Sequence, residues 1–196
     1  MIAFALLTLA IWIYLLLGRG FFWLTRSTGE VRSESRAVMR SEDKKSLPSV
    51  VAVIPARNEA AVVGRAVGSL LAQDYAGSFR IVLVDDHSGD GTADAARTAA
   101  GAAVDRLQIV AARPLPPGWT GKLWALSEGV RQIAEPPTLY LFTDADIAHH
   151  SSNLSELVAR LKAEQRDLVS LMVKLRCKSF AEKFLIPPFV FFFAML

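Results

Sequence analysis

Two aspartates one residue apart, Asp144 and Asp146 in "YLFTDADIAHH", stand where an apolar stretch has just ended. Carboxylates leaving one tight turn repel each other unless a divalent cation lies between them. Such a pair suits Mg2+ or Mn2+, which complete their shells with water and substrate phosphates, so a diphosphate is the expected ligand. The competing reading has Asp144 and Asp146 capping a helix near Ser151 or solvating a turn. His149 and His150 follow closely, and a histidine ligand would favour Mn2+ over Mg2+, whereas a turn leading into a helix also suits solvated histidines. Asp85 and Asp86 form a second acidic pair, Arg57, Asn58 and Glu59 a third polar cluster, and Lys122 lies in "PPGWTGKLWA". At a helix start whose N–H groups favour anions, Lys122 is a candidate for the diphosphate. Adjacent residues face opposite ways, so only one of Asp85 and Asp86 is expected to reach a ligand.

The elements that must position these residues alternate. Val50 to Ile54 is a continuous apolar run, as in a parallel strand buried on both faces, and Pro55 is expected to end it. Val62, Val63, Ala66, Val67, Leu70 and Leu71 then recur at helical spacing. Ile81 to Val84 reads as a second strand, followed by a polar turn and a helix with Thr92 as its N-cap. "LQIVA" (107–111), "LYLF" (139–142) and "LVSLMV" (168–173) read as further strands, with helices at 122–133 and in "SNLSELVARLK". Strands alternating with helices define an α/β fold with a mostly parallel, Rossmann-like sheet covered on both faces. Ligands of such sheets bind beyond the carboxyl ends of the strands, where the three polar clusters fall.

The chain of 196 residues holds one α/β domain, and the excess in its 52% hydrophobic content sits at the two ends. A net charge of +3 is too mild to argue for nucleic acid. One cysteine, Cys177, allows no internal disulfide. Residues 1–24 approach the roughly 20 apolar residues of a membrane helix. A cleaved signal peptide would show a basic start and a small-residue cleavage site, which this stretch lacks. Residues 25–47 form a basic, polar linker; Arg26, Arg32, Arg36, Arg40, Lys44 and Lys45 place the domain that follows on the cytoplasmic side of the inner membrane. That domain is expected over 48–180. Residues 181–196, "AEKFLIPPFVFFFAML", read as an interfacial segment or a membrane helix cut off by the chain end.

"VAVIPARNEAAVVGRAVGSLLAQ", "IVLVDDHSGDGT" and "YLFTDADI" resemble, in order and spacing, the family 2 glycosyltransferases of the GT-A fold. With "GWTGKLWALSEG", the N-terminal apolar segment and "LVSLMVKLRC", the chain is similar to the hopene-associated, membrane-bound members of hopanoid biosynthesis. The resemblance implies an inverting, metal-dependent transfer from a nucleotide-sugar, a UDP-sugar first, to a lipid acceptor. It implies that Pro55, Arg57 and Glu59 border the nucleotide, that Asp85 or Asp86 bonds its base or ribose, and that Asp144 faces the ribose or the metal's water shell. Asp146 would be the direct metal ligand. The acceptor base of this family lies well downstream of the Asp-x-Asp, so it is expected beyond residue 196 and the chain reads as an N-terminal fragment.

Two other classes compete. A nucleotidyltransferase would carry a Gly-rich basic loop after the first strand, where this chain has "PARNEAA". A Mg2+-binding receiver-like module would share an acidic pair at a strand end. "GDGT" lacks the spacing and lysine of a phosphate-binding Walker loop. Trp119 and Trp124 could meet a sugar, although Trp124, inside a helix, suits the core.

Overall fold

The computed structural model describes residues 2–14, 17, 47–171, 173, 175 and 177–195. The chain divides into two compact units, residues 31–169 and residues 1–30 together with 170–196.

The larger unit runs β1 (Val50–Ala56), α2 (Ala60–Leu71), β2 (Phe79–Asp85), α3 (Thr92–Ala100), a 3-10 turn (Gly101–Arg106), β3 (Leu107–Ala111), α4 (Gly121–Arg131), β4 (Leu139–Phe142) and α5 (Asn153–Ala163). The four strands are all parallel, in the order β3-β2-β1-β4. Ala56 lies opposite Asp85, and Asp85 opposite Ala111, so three strand ends are level and their loops leave from one rim.

Each helix covers the sheet with the stripe its sequence carries. Val63, Val67 and Leu70 of α2, Ala96 and Ala100 of α3, and Leu154 and Val158 of α5 pack with Ala52, Ile54, Ile81 and Leu83. Burying each of the large side chains contributes about 1.5–3 kcal/mol. On the other face, Ala125 of α4 meets Val51, Val53, Val82 and Val84, with Leu126 and Val130 partly buried beside them. Gly129 permits that approach: a Cβ there would stand 2.5 Å from Val53 Cγ1 and 2.7 Å from Val84 Cγ2.

Three expectations are corrected. β1 continues through Pro55 to Ala56. Ser49 and Val53 offer their carbonyls to the β4 side, so Pro55, two residues on, faces that side beyond the last pair, Val53 with Phe142; its missing N–H breaks no ladder. Thr92 is the first residue of α3 rather than its cap: Gly91 takes the cap position in a left-handed conformation (φ 86°), and the Asp90 carboxylate accepts the Thr92 N–H. The described residues of 168–173 form no strand. Leu168 and Val169 lie beside β4 in an apolar groove without joining its ladder, since an apolar run becomes a strand only by pairing an edge.

In the smaller unit, α1 (Ile2–Ile13) carries no charge and all its residues are exposed. A further helix, α6 (Phe180–Met195), begins with a capping box: Ser179 Oγ accepts the Glu182 N–H while Glu182 Oε2 accepts the Ser179 N–H. It runs through Pro187 and Pro188. Among the described residues no helix is long and apolar enough to cross a membrane. The expected linker at 25–47 lies almost wholly outside the described residues, as do residues 18–24 of the expected span.

Candidate active site

At the carboxyl end of the sheet a cavity of about 350 Å3 is lined by Pro55, Arg57 and Glu59 after β1, Asp86 after β2, Gly121 and Lys122 of α4, and Asp144 and Asp146 after β4. Four carboxylates (Glu59, Asp86, Asp144, Asp146) face two cations (Arg57, Lys122), an excess of two negative charges (4 − 2). A divalent cation would offset that excess for an anionic ligand such as a diphosphate. Among the described residues no three His, Cys, Asp or Glu side chains gather into a ready-made metal site. Asp144 and Asp146 offer oxygen donors alone, which fits a hard divalent ion that takes its remaining ligands from water and phosphate.

The two aspartates after β2 divide their tasks. Asp85 Oδ1 accepts the Ser88 N–H at 3.0 Å and holds the turn, away from the cavity. Asp86 turns into it: Oδ2 receives Arg57 Nη1 at 3.4 Å, and Oδ1 lies 3.1 Å from His87 Nδ1. Gly121 keeps room for this carboxylate, since a Cβ there would lie 3.3 Å from Asp86 Oδ2. Lys122 Nζ meets Asp144 Oδ1 at 2.6 Å. No side chain caps α4, so its first N–H groups and Lys122 together present positive charge at the cavity edge.

His149 and His150 bond within the segment that follows β4. His149 places Nε2 3.0 Å from Thr143 Oγ1 and Nδ1 3.0 Å from Asn153 Nδ2, and burial holds its pKa below the ordinary value. Both ring nitrogens are engaged, so His149 braces the turn. His150 Nδ1 bonds Ser152 Oγ. Trp124 is buried, and its Nε1–H donates to the Arg113 carbonyl at 2.8 Å; Trp119, half exposed, meets it edge-on with ring centroids 5.3 Å apart.

Two networks around the site went unread in the sequence. The first joins the turns after β1 and β2. Asn58, left-handed at φ 55°, donates its N–H to Ser88 Oγ and accepts the Gly89 N–H; Glu59 N–H donates to Thr92 Oγ1, and Ala60 N–H to Asp90 Oδ2. The Thr92 hydroxyl, which donates to Asp90 Oδ1, and the Ala60 N–H hold the Asp90 carboxyl below the usual range. The second is the pairing of Arg113 with Glu128, at 2.6 and 2.8 Å. Glu128, 1% exposed, is held below the usual glutamate range by these hydrogen bonds. Its signal was a charged residue four positions after Trp124 on the stripe that α4 turns inward.

The parallel sheet with helices on both faces and polar loops at one rim defines an α/β domain that is GT-A-like. The chain belongs to the glycosyl transferase family 2, whose model matches residues 51–193. That assignment displaces the nucleotidyltransferase and receiver-like readings. Among solved structures, it is similar to TarS 1–349 of S. aureus in complex with UDP-GlcNAc, at 19% identity and TM-score 0.50 over 66% of this chain and 38% of that one. The mannosyltransferase PcManGT of Pyrobaculum calidifontis, in complex with GDP-Man and Mn2+, is 24% identical with TM-score 0.49 over 68% and 40%. For the glucosyl-3-phosphoglycerate synthase of M. tuberculosis the values are 23% and 0.45 over 65% and 44%. The chain thus spans 38% to 44% of the length of these structures. No curated protein matches it.

Proposed function

We propose that this chain is the donor-binding part of a metal-dependent, inverting glycosyltransferase that moves a sugar from a nucleotide-sugar to a lipid acceptor at a membrane. The observation that carries the reading is the convergence of Arg57, Asp86, Lys122, Asp144 and Asp146 on one cavity at the carboxyl rim of the sheet. Asp86 is the group for the base or ribose, since a carboxylate accepts hydrogen bonds from an imide N–H or hydroxyls. Asp144 and Asp146 are the groups for Mg2+ or Mn2+, which would neutralise charge on the leaving diphosphate. Lys122 adds a second positive charge there, and it must leave Asp144 to do so. Pro55 and Glu59 shape the wall beside Arg57.

The lipid acceptor, a hopanoid in the finer form of the proposal, rests on the sequence resemblance and on the uncharged, exposed surface of α1. The same surface supports a membrane anchor, and the basic residues after it favour the cytoplasmic face for the domain. Thermal shift against a panel of nucleotide-sugars, each with and without Mn2+, tests the donor half: stabilisation by a UDP-sugar only when Mn2+ is present is expected. No shift with any donor would overturn it. A reporter fused after Lys45 tests the orientation, and activity confined to the periplasm would reverse it.

A further inference from the structure

Arg65, Ser69 and Gln73 are spaced four residues apart, a repeat that lies along one side of a helix. In the structure all three turn toward the segment after β4. Arg65 Nη2 donates to the Asp146 carbonyl at 3.4 Å. Ser69 Oγ accepts the His149 N–H at 2.9 Å. Gln73, just past the end of α2, uses both ends of its amide: Nε2 donates to the His150 carbonyl and Oε1 accepts the Leu154 N–H, each at 2.8 Å. The neighbouring Asp74 N–H donates to the Ser151 carbonyl at 2.9 Å, and its carboxylate accepts the Ser155 hydroxyl at 2.7 Å. The backbone of residues 146–154 is therefore pinned along α2, while Thr143 and His149 tie the two ends of the turn together at 3.0 Å.

The pinning touches main chain and leaves the ligand-facing groups alone. Among the described residues no bond to the Asp146 carboxylate accompanies the one to its carbonyl. A solvated polar face has no need of three positions, each four residues from the next, aimed at one loop, nor of a glutamine satisfied at both ends by backbone. Holding a ligand's main chain fixes the Cα from which its carboxylate extends and so limits the positions the carboxylate can reach, as outer partners of metal ligands orient the ligand itself.

We propose that Arg65, Ser69 and Gln73 are positioning residues that set the placement of Asp146 for a divalent cation. The inference rests on the functional reading above, in which Asp146 is the metal ligand. α2 acts as a ruler: its rigid spacing is transferred to the turn, so that metal affinity depends on side chains that never touch the metal.

The test uses the full chain, with UDP and Mn2+ as probes. The Mn2+ concentration for half-maximal UDP binding is measured for the parent, for Ser69→Ala combined with Gln73→Ala, for Ser69→Thr, and for Leu107→Ala. Leu107 is a buried residue of β3 and serves as a control for lost stability. The double variant is expected to need about tenfold more Mn2+, with UDP affinity at saturating Mn2+ unchanged. Ser69→Thr keeps the hydroxyl and should match the parent, and Leu107→Ala should lose melting temperature without moving the Mn2+ midpoint. A double variant with the parent's midpoint, or a Leu107→Ala chain shifted as far, overturns the proposal while the functional reading stands. A parent that binds UDP independently of Mn2+, or not at all, overturns both.

Discussion

Replacing Gly129 by alanine sets two known effects against each other on one helix. Alanine in a helix interior is favoured over glycine by about 1 kcal/mol. Against that, the new Cβ would meet Val53 Cγ1 at 2.5 Å and Val84 Cγ2 at 2.7 Å. Ordinary carbon contacts begin near 3.5 Å, so α4 or the valines must yield by about 1 Å. Neither valine can: both are fully buried in paired strands, and their branched side chains are stiff at χ1. The overpacking cost therefore falls at the upper end of its usual range, about 3 kcal/mol. The net expectation is a loss of about 2 kcal/mol, which moves the urea midpoint down by about 1 M at an unchanged slope. Gly68 in α2 supplies the contrast. A Cβ there meets nothing within 4 Å, so Gly68→Ala should raise stability by about 0.5–1 kcal/mol. Urea denaturation followed by circular dichroism measures both. A Gly129→Ala chain as stable as the parent would refute the packing argument.

Acidification offers a second check. Hydrogen bonds from Arg113 hold the Glu128 carboxyl below its ordinary value, so the stability it contributes is complete above the usual glutamate range and is lost as pH falls through the depressed value. Melting temperatures from pH 7 to pH 3 should fall more steeply for the parent than for Glu128→Gln, and parallel curves would show the pairing to be energetically silent. Asp85→Asn and Asp86→Asn should separate: the first lowers melting temperature by loosening the bond to Ser88, the second weakens UDP binding with little change in melting. Lys122→Ala should weaken UDP binding about tenfold or more in calorimetry, since bonds from charged donors are the strong ones; an unchanged affinity would leave Lys122 as a partner of Asp144 alone.

What could be read from the sequence followed periodicity. "LQIVA" and "LYLF" are β3 and β4 to the residue, because each is a short apolar run bounded by polar or turn residues. The rim was legible too, since polar residues placed just after buried strands have few other reasons to be there. Pairing was less visible. Nothing in "LVSLMV" tells whether a partner edge exists, and nothing in "VVAVIPA" shows that β4 stops at Phe142, which is what lets Pro55 stay in the strand. The choice between Asp85 and Asp86 depended on a bond to Ser88, three residues on, that only the folded turn reveals. Ser69 and Gln73 look like solvated helix positions until residues 146–154 are laid beside them. Glu128 and Arg113, 15 residues apart, gave no pattern linking them.

In the proposed function, Asp146 makes nucleotide binding depend on a divalent cation. Calorimetric titration of UDP into the parent and into Asp146→Asn, each with and without Mn2+, tests it most directly. The substitution removes a charge from an exposed rim and no core volume, so melting temperature should not move. Binding by the parent only with Mn2+, and no binding by the variant in either condition, is the expected result; equal UDP affinity in the two chains with Mn2+ present would contradict it.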